Sequence, residues 1–204
     1  MKYSREYILR RAFDVFMNKG YDSASISVLQ EELGMSRGAM YRYFKNKEEL
    51  FFAVIDEYFF KIFDKMLNGI KGDITLPELI EAMHRRQKTV TNAFMRAGVT
   101  HTVFLNYTAL IIQAAKHYPD FVNRFRFIYG RLLDHWRKAL LKSIEIKQVR
   151  ADIDVEIMCI LFNNTGVKET SDQTCDESQF VTNVVKDMER RKEVMDYLYC
   201  LIKV

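Results

Sequence analysis

Proline is nearly missing from this sequence, with two in 204 residues, and glycine is sparse at eight. With so few breakers, and with Leu, Ile, Phe, Lys and Glu abundant, the chain reads as all-helical; no strand pattern, repeat or low-complexity tract stands out. Cysteine is scarce too. Cys159, Cys175 and Cys200 are odd in number and show no metal or redox pair spacing, which points to a reducing, cytoplasmic setting. The four histidines (His84, His101, His117, His135) have no histidine or cysteine at i+3 or i+4, so no metal site is expected. No nucleophile turn and no glycine-rich phosphate loop is present, so neither an enzyme nor a cofactor is expected. Long apolar runs are absent: the stretch around Ala109–Ile112 is far too short to span a bilayer. The charged N-terminus, MKYSREYILRRAFDVF, is no secretory signal. A soluble, cytoplasmic protein without a membrane partner is the expectation. Composition, 49% hydrophobic and 28% charged, is that of a globular chain of one to two domains, and its net charge of +4 is mild.

What the chain does have is concentrated in Gly20–Leu50, GYDSASISVLQEELGMSRGAMYRYFKNKEEL. Ser25 is placed to cap a helix carrying Ile26, Leu29 and Leu33 on one side, and Gly34 to end it. Ser36 then caps a second helix, expected over Arg37–Phe44, with Met40 and Phe44 inward and Arg37, Gly38, Ala39, Tyr41, Arg42 and Tyr43 elsewhere. Asn46 and Glu49 form a capping-box pattern that opens a third. Two helices joined by a short glycine-containing turn make a helix-turn-helix unit. Between Ser36 and Lys47 stand Arg37, Arg42, Lys45 and Lys47 and no acid. Tyrosine hydroxyls are interleaved, and small residues lie at the helix tip. That combination points to DNA.

The run G-Y-x-x-x-S-I-x-x-L-x-x-x-x-G-M-S-R-G-A-M-Y-R-Y-F-K-N-K-E-E-L resembles the DNA-binding domain of the TetR family of bacterial transcriptional regulators, strongly over residues 4 to about 55. The family usually has alanine where Gln30 and Leu33 stand, and commonly histidine where Tyr43 stands. The resemblance implies an N-terminal three-helix helix-turn-helix domain (1–46) and a C-terminal helical ligand-binding and dimerisation domain (47–204), about nine helices in all. It further implies a homodimer through the last two helices, a double-stranded DNA operator and a small-molecule effector. Ser25, Ser36, Arg37, Gly38, Ala39, Tyr41, Arg42, Tyr43 and Lys47 are the candidate DNA-binding residues. Arg37 is the candidate base reader.

Before this unit, residues 4–19 read as a helix with an apolar stripe (Ile8, Ala12, Val15, Phe16), stopped at Asn18-Lys19-Gly20. After it, residues 47–68 form a linking helix that is apolar nearly all round. A seam follows at Lys71-Gly72-Asp73, and Thr75-Leu-Pro-Glu78 opens the next helix with a capping box. Three further helices precede the polar Lys168–Ser178 stretch, read as a loop, and the last covers about Phe180–Ile202. Phe94, His101, Phe104, Tyr107, Gln113, Phe125, Tyr129 and Trp136 are candidates to line an effector cavity, with core filling as the competing role for each aromatic. A second reading, a helical ligand carrier or protein-interaction module without DNA binding, is kept open by Gln30 and Leu33.

Overall fold

The computed structural model describes residues 3–70, 72–96, 101–166 and 177–204. Lys71, Gly98, Cys175 and most of the Lys168–Ser178 stretch lie outside them. Apart from one isolated bridge between Val149 and Lys203, the regular structure among the described residues is helical. The order is α1 (Arg5–Ser23), α2 (Ile26–Leu33), α3 (Arg37–Tyr41), α4 (Lys47–Ile55), a π-helical turn (Asp56–Phe60), α5 (Lys61–Asn68), α6 (Leu76–Arg96), α7 (His101–His117), α8 (Phe121–Glu145), α9 (Val155–Asn163) and α10 (Glu177–Ile202). The backbone stays right-handed helical through both ends of the π turn. Counting Lys47–Asn68 as one helix gives nine among the described residues, as expected.

Local chemistry sets the helix ends. Ser4, Ser25, Ser36, Asn46 and Asp154 each accept an amide of the first turn of the helix they open. Thr75 and Glu78 close their box: the Thr75 N–H and hydroxyl both donate to the Glu78 carboxylate, at 2.7 and 2.9 Å. Gly20 breaks α1 with φ 73° and ψ 165°, a region essentially restricted to glycine. α3 is shorter than the expected Arg37–Phe44. The Tyr43 and Phe44 amides both turn back to the Met40 carbonyl, at 3.0 and 3.1 Å, which tightens the chain into a turn after Tyr41.

By packing, the chain divides into two compact units: residues 1–65 with 102–126, and residues 66–101 with 127–204. The first unit thus holds α4, the π turn and most of α7 together with α1–α3. The first unit is built around Ile8, Phe16, Leu29, Leu33, Leu50, Phe51, Val54 and Phe60, all nearly inaccessible. Phe51 meets Phe16 edge-on at 5.1 Å and Tyr21 at 4.5 Å, and Phe121 lies 5.2 and 5.6 Å from Phe60 and Phe59. The π turn is held from outside its own helix. Asp56 accepts from Tyr118 (3.1 Å) and pairs with Arg124, whose guanidinium lies 4.0 Å over Phe60, and Tyr107 donates to the Tyr58 carbonyl at 3.1 Å. The second unit packs α6 against α10 and stacks Trp136 on Phe162 at 5.3 Å. The fully buried Ser143 hydroxyl oxygen accepts the Leu76 amide at 2.8 Å, satisfying one free donor at the start of α6.

Candidate nucleic-acid interface

The helix-turn-helix is assembled by short-range contacts. Gly34 takes the left-handed conformation (φ 63°, ψ 31°), and the Met35 amide returns to the Gln30 carbonyl at 2.9 Å, which turns the chain sharply between α2 and α3. Leu29, Leu33, Met35 and Met40 fill the inner side of that corner. What remains outside is Ser36, Arg37, Gly38, Tyr41 and Arg42, all exposed. The Arg37 guanidinium lies 5.6 Å over the Tyr41 ring, so the two side chains stack along the outer face of α3. Ser25 and Ser36 use their oxygens to cap helices (3.3 and 3.2 Å), which leaves each hydroxyl proton free for an acceptor outside the protein.

Gly38 is informative because the fold does not require it. Its backbone is helical, and an added methyl would meet nothing within 4 Å. Gly38 is the second residue of this five-residue helix, and no packing contact inside the head requires a glycine there. It leaves the backbone of α3 open to solvent at this point.

Three candidates behave differently from the expectation. Ala39, expected outside with Gly38, is only 9% exposed and turns into the head. It follows the inward side that Met40 defines, which leaves Gly38 as the exposed small residue of the pair. Tyr43 is half-buried and donates its hydroxyl to the Tyr3 carbonyl at 2.6 Å. The Lys47 ammonium donates to the Tyr21 carbonyl at 3.0 Å and sits 4.1 Å over the Tyr21 ring. These two side chains brace the head. Tyr3, which the sequence reading passed over, ties it further by donating to the Gly34 carbonyl at 2.7 Å. The Arg5 guanidinium lies 5.1 Å over the Phe44 ring. A further brace comes from α7: Gln113 Oε1 accepts the Tyr21 amide at 2.8 Å, just after the kink at Gly20.

Residues 8–54, nearly the whole of this head and the start of the linking helix, match the family model described as bacterial regulatory proteins, tetR family. The fatty acid metabolism regulator protein of Bacillus subtilis is 30% identical over 150 residues, which is 74% of this chain and 73% of that protein. The chain belongs to the TetR family. Within it, the uncharacterized HTH-type transcriptional regulator YuxN of B. subtilis is 35% identical over 91 residues. That match covers 44% of this chain, which spans only 30% of YuxN. The TetR fold is shared along the chain with SmeT, the repressor of the Stenotrophomonas maltophilia multidrug efflux pump SmeDEF: TM-score 0.61 at 16% identity, covering 99% of this chain and 91% of that one. SmeT has also been solved as a complex with triclosan. TetR proteins are transcriptional regulators, not enzymes.

The described candidate effector residues are engaged in different ways. Tyr107, Gln113 and Phe125 belong to the first unit, Tyr129 and Trp136 to the second. Tyr107 is committed to the Tyr58 carbonyl, and burial pushes its hydroxyl up to about 12. Gln113 is committed to Tyr21. Trp136 fills the core, 1% exposed. Phe125 is 44% exposed and stacked on Phe121. The side chains of Phe94, His101 and Phe104 lie outside what is described. Among the described residues no group of three His, Cys, Asp or Glu could hold a metal ion, and no helix is long and apolar enough to cross a membrane.

Proposed function

We propose that this TetR-family chain is a sequence-specific DNA-binding regulator, a ligand-responsive repressor that acts in the cytoplasm as a homodimer on a near-palindromic operator. The observation that carries the reading is the outward, acid-free face of Ser36–Arg42, with Gly38 open to solvent. Arg37 is placed to read a base edge, guanine being the base whose two acceptors fit a guanidinium, with about 1–3 kcal/mol of discrimination. Ser25, Ser36, Tyr41 and Arg42 hold phosphates and set position. Tyr43 and Lys47 act mainly by fixing the head's shape.

A dimer is supported by the outer faces of α9 and α10, which leave Ile157, Ile160, Leu161, Tyr197 and Leu201 between 44% and 65% exposed. An apolar patch of that kind calls for cover, and a second copy supplies it symmetrically. The two α3 helices would then enter successive major grooves about 34–36 Å apart. The triclosan complex of SmeT favours a small molecule as the effector of the same fold. Repression is relieved when the effector binds the DNA-incompetent arrangement more tightly than the competent one.

The test is to select bound duplexes from a random pool, then measure affinity for the selected site across salt concentrations. The reading expects inverted half-sites, two protomers per duplex and affinity that falls steeply with salt. Enrichment of no sequence at all would favour the carrier or interaction module instead.

A further inference from the structure

α3 spans only Arg37–Tyr41, and an isolated helix that short does not persist in water. Two of its side chains, Ala39 and Met40, are buried in the head. Met35 and Phe44, just beyond its ends, are buried too. Apolar contacts are non-directional: they hold the helix down and leave its tilt along the head surface weakly defined. Directional contacts at its two ends fix that tilt.

Both ends lead to Tyr3, which precedes α1 and lies outside the helix-turn-helix. At one end, the Tyr3 hydroxyl donates at 2.7 Å to the carbonyl of Gly34, the left-handed residue of the turn into α3. At the other, the hydroxyl of Tyr43, two residues past the end of α3, donates to the Tyr3 carbonyl at 2.6 Å. Side chain and backbone of one residue therefore join positions 34 and 43, with α3 between them. Neighbouring residues hold Tyr3 in turn. Its ring stacks on Tyr7 with centroids 6.0 Å apart, and the Ser4 hydroxyl oxygen accepts the Tyr7 amide at 3.1 Å. The Arg5 guanidinium covers the Phe44 ring at 5.1 Å, again just beyond α3. The bond to Gly34 is exposed, so water replaces most of its energy when it is lost. Water does not replace its geometry. A contact of this kind contributes little to stability and much to aim.

Aim matters at a base edge. A guanidinium reads guanine through two parallel hydrogen bonds, and each weakens steeply when misaligned. Arg37 is the first residue of α3, three residues from Gly34, so a change of tilt displaces it directly. Phosphate contacts rest on charge and carry no sequence information, so they survive a small tilt. We propose that Tyr3 is a positioning residue for sequence reading: it ties both ends of α3 and sets the angle at which Arg37 meets a base. The proposal deepens the regulator reading and rests on it for the role of Arg37. The tether itself needs only the head.

Two variants of the full chain test it. Y3F removes one hydroxyl and keeps the ring, its stack on Tyr7 and the Tyr3 carbonyl; Y43F breaks the other bond and leaves the first in place. Amide hydrogen exchange, thermal unfolding and affinity for selected and unrelated duplexes are measured on both and on wild type. Both variants should melt close to wild type, with faster exchange at the Met40, Tyr43 and Phe44 amides and unchanged exchange in the middle of α1 and α4. Each should bind the selected duplex about three- to tenfold more weakly, with affinity for unrelated duplexes and the salt slope unchanged. Equal losses on both kinds of duplex, or no loss on either, would overturn the aiming role. Exchange that quickens throughout the head alike, or nowhere, would overturn the tether. A wild type that binds no duplex defeats the regulator reading, and exchange then decides the tether alone.

Discussion

The kink at Gly20 gives the sharpest stability prediction, because the same chain supplies its own control. Gly20 sits at φ 73°, ψ 165°, and Gly34 at φ 63°, ψ 31°. Both angles are left-handed, but only the second lies in the small region that other residues visit, where alanine costs about 1–2 kcal/mol. An alanine methyl at position 20 would rest 3.6 Å from the Gln113 amide, an ordinary contact, so the cost there is backbone strain and not collision. Strain at such angles is at the top of the usual range of about 1–3 kcal/mol. Relieving it by rotating φ would carry the Tyr21 amide off Gln113, and stranding a part-buried donor costs about 1–3 kcal/mol. Either route places G20A about 2–3 kcal/mol below wild type, roughly 4–12 °C in melting temperature for a chain of this size, and G34A above it. Urea and thermal unfolding of the two variants measure this directly. A G20A protein as stable as wild type, or more stable than G34A, would refute the reasoning.

Other consequences can be measured as readily. Tyr107 has its pKa raised by burial from the ordinary 10 to about 12, so the folded state favours the neutral phenol. Its contribution is whole below pH 10 and is lost as pH climbs from 10 to 12, on the order of 2 kcal/mol. Y107F should therefore lose stability less steeply over that window in urea titrations at stepped pH, and equal slopes would contradict the assignment. R42A should weaken binding to selected and unrelated duplexes alike and reduce the slope of log affinity against log salt by about one, whereas a sequence-dependent loss would assign Arg42 to a base. I160E should sediment as a monomer at concentrations where wild type is dimeric. A dimer that survives it would move the interface away from α9.

Caps were legible because their chemistry is local. Ser25, Ser36, Asn46 and Thr75 act within three residues of themselves, and Gly20 and Gly34 act through their own backbone angles. The outward face of α3 was legible for the same reason: the helix is short, and the exposure of Arg37, Gly38, Tyr41 and Arg42 follows from where Met40 points. What the sequence could not display depends on distant partners. The π turn at Asp56–Phe60 looks like any apolar helix until Tyr118 and Arg124, 62 and 68 residues away, reach Asp56. Gln113 resembled a ligand anchor and braces Tyr21, 92 residues earlier. Leu33, which departs from the family's alanine, is 1% exposed and simply fills the corner. Gln30 leaves its amide nitrogen buried and unpaired among the described residues, a cost the head carries without losing the α2–α3 turn.

The outward face of α3 is the claim on which the functional account depends, and base-by-base affinity of wild type and R37A for the selected operator tests it most directly. If Arg37 reads a base edge, wild type discriminates at one position in each half-site and R37A loses discrimination there, binding overall about tenfold or more weakly while keeping its preferences elsewhere. An R37A protein with the same affinity and the same preference at every position would contradict the account.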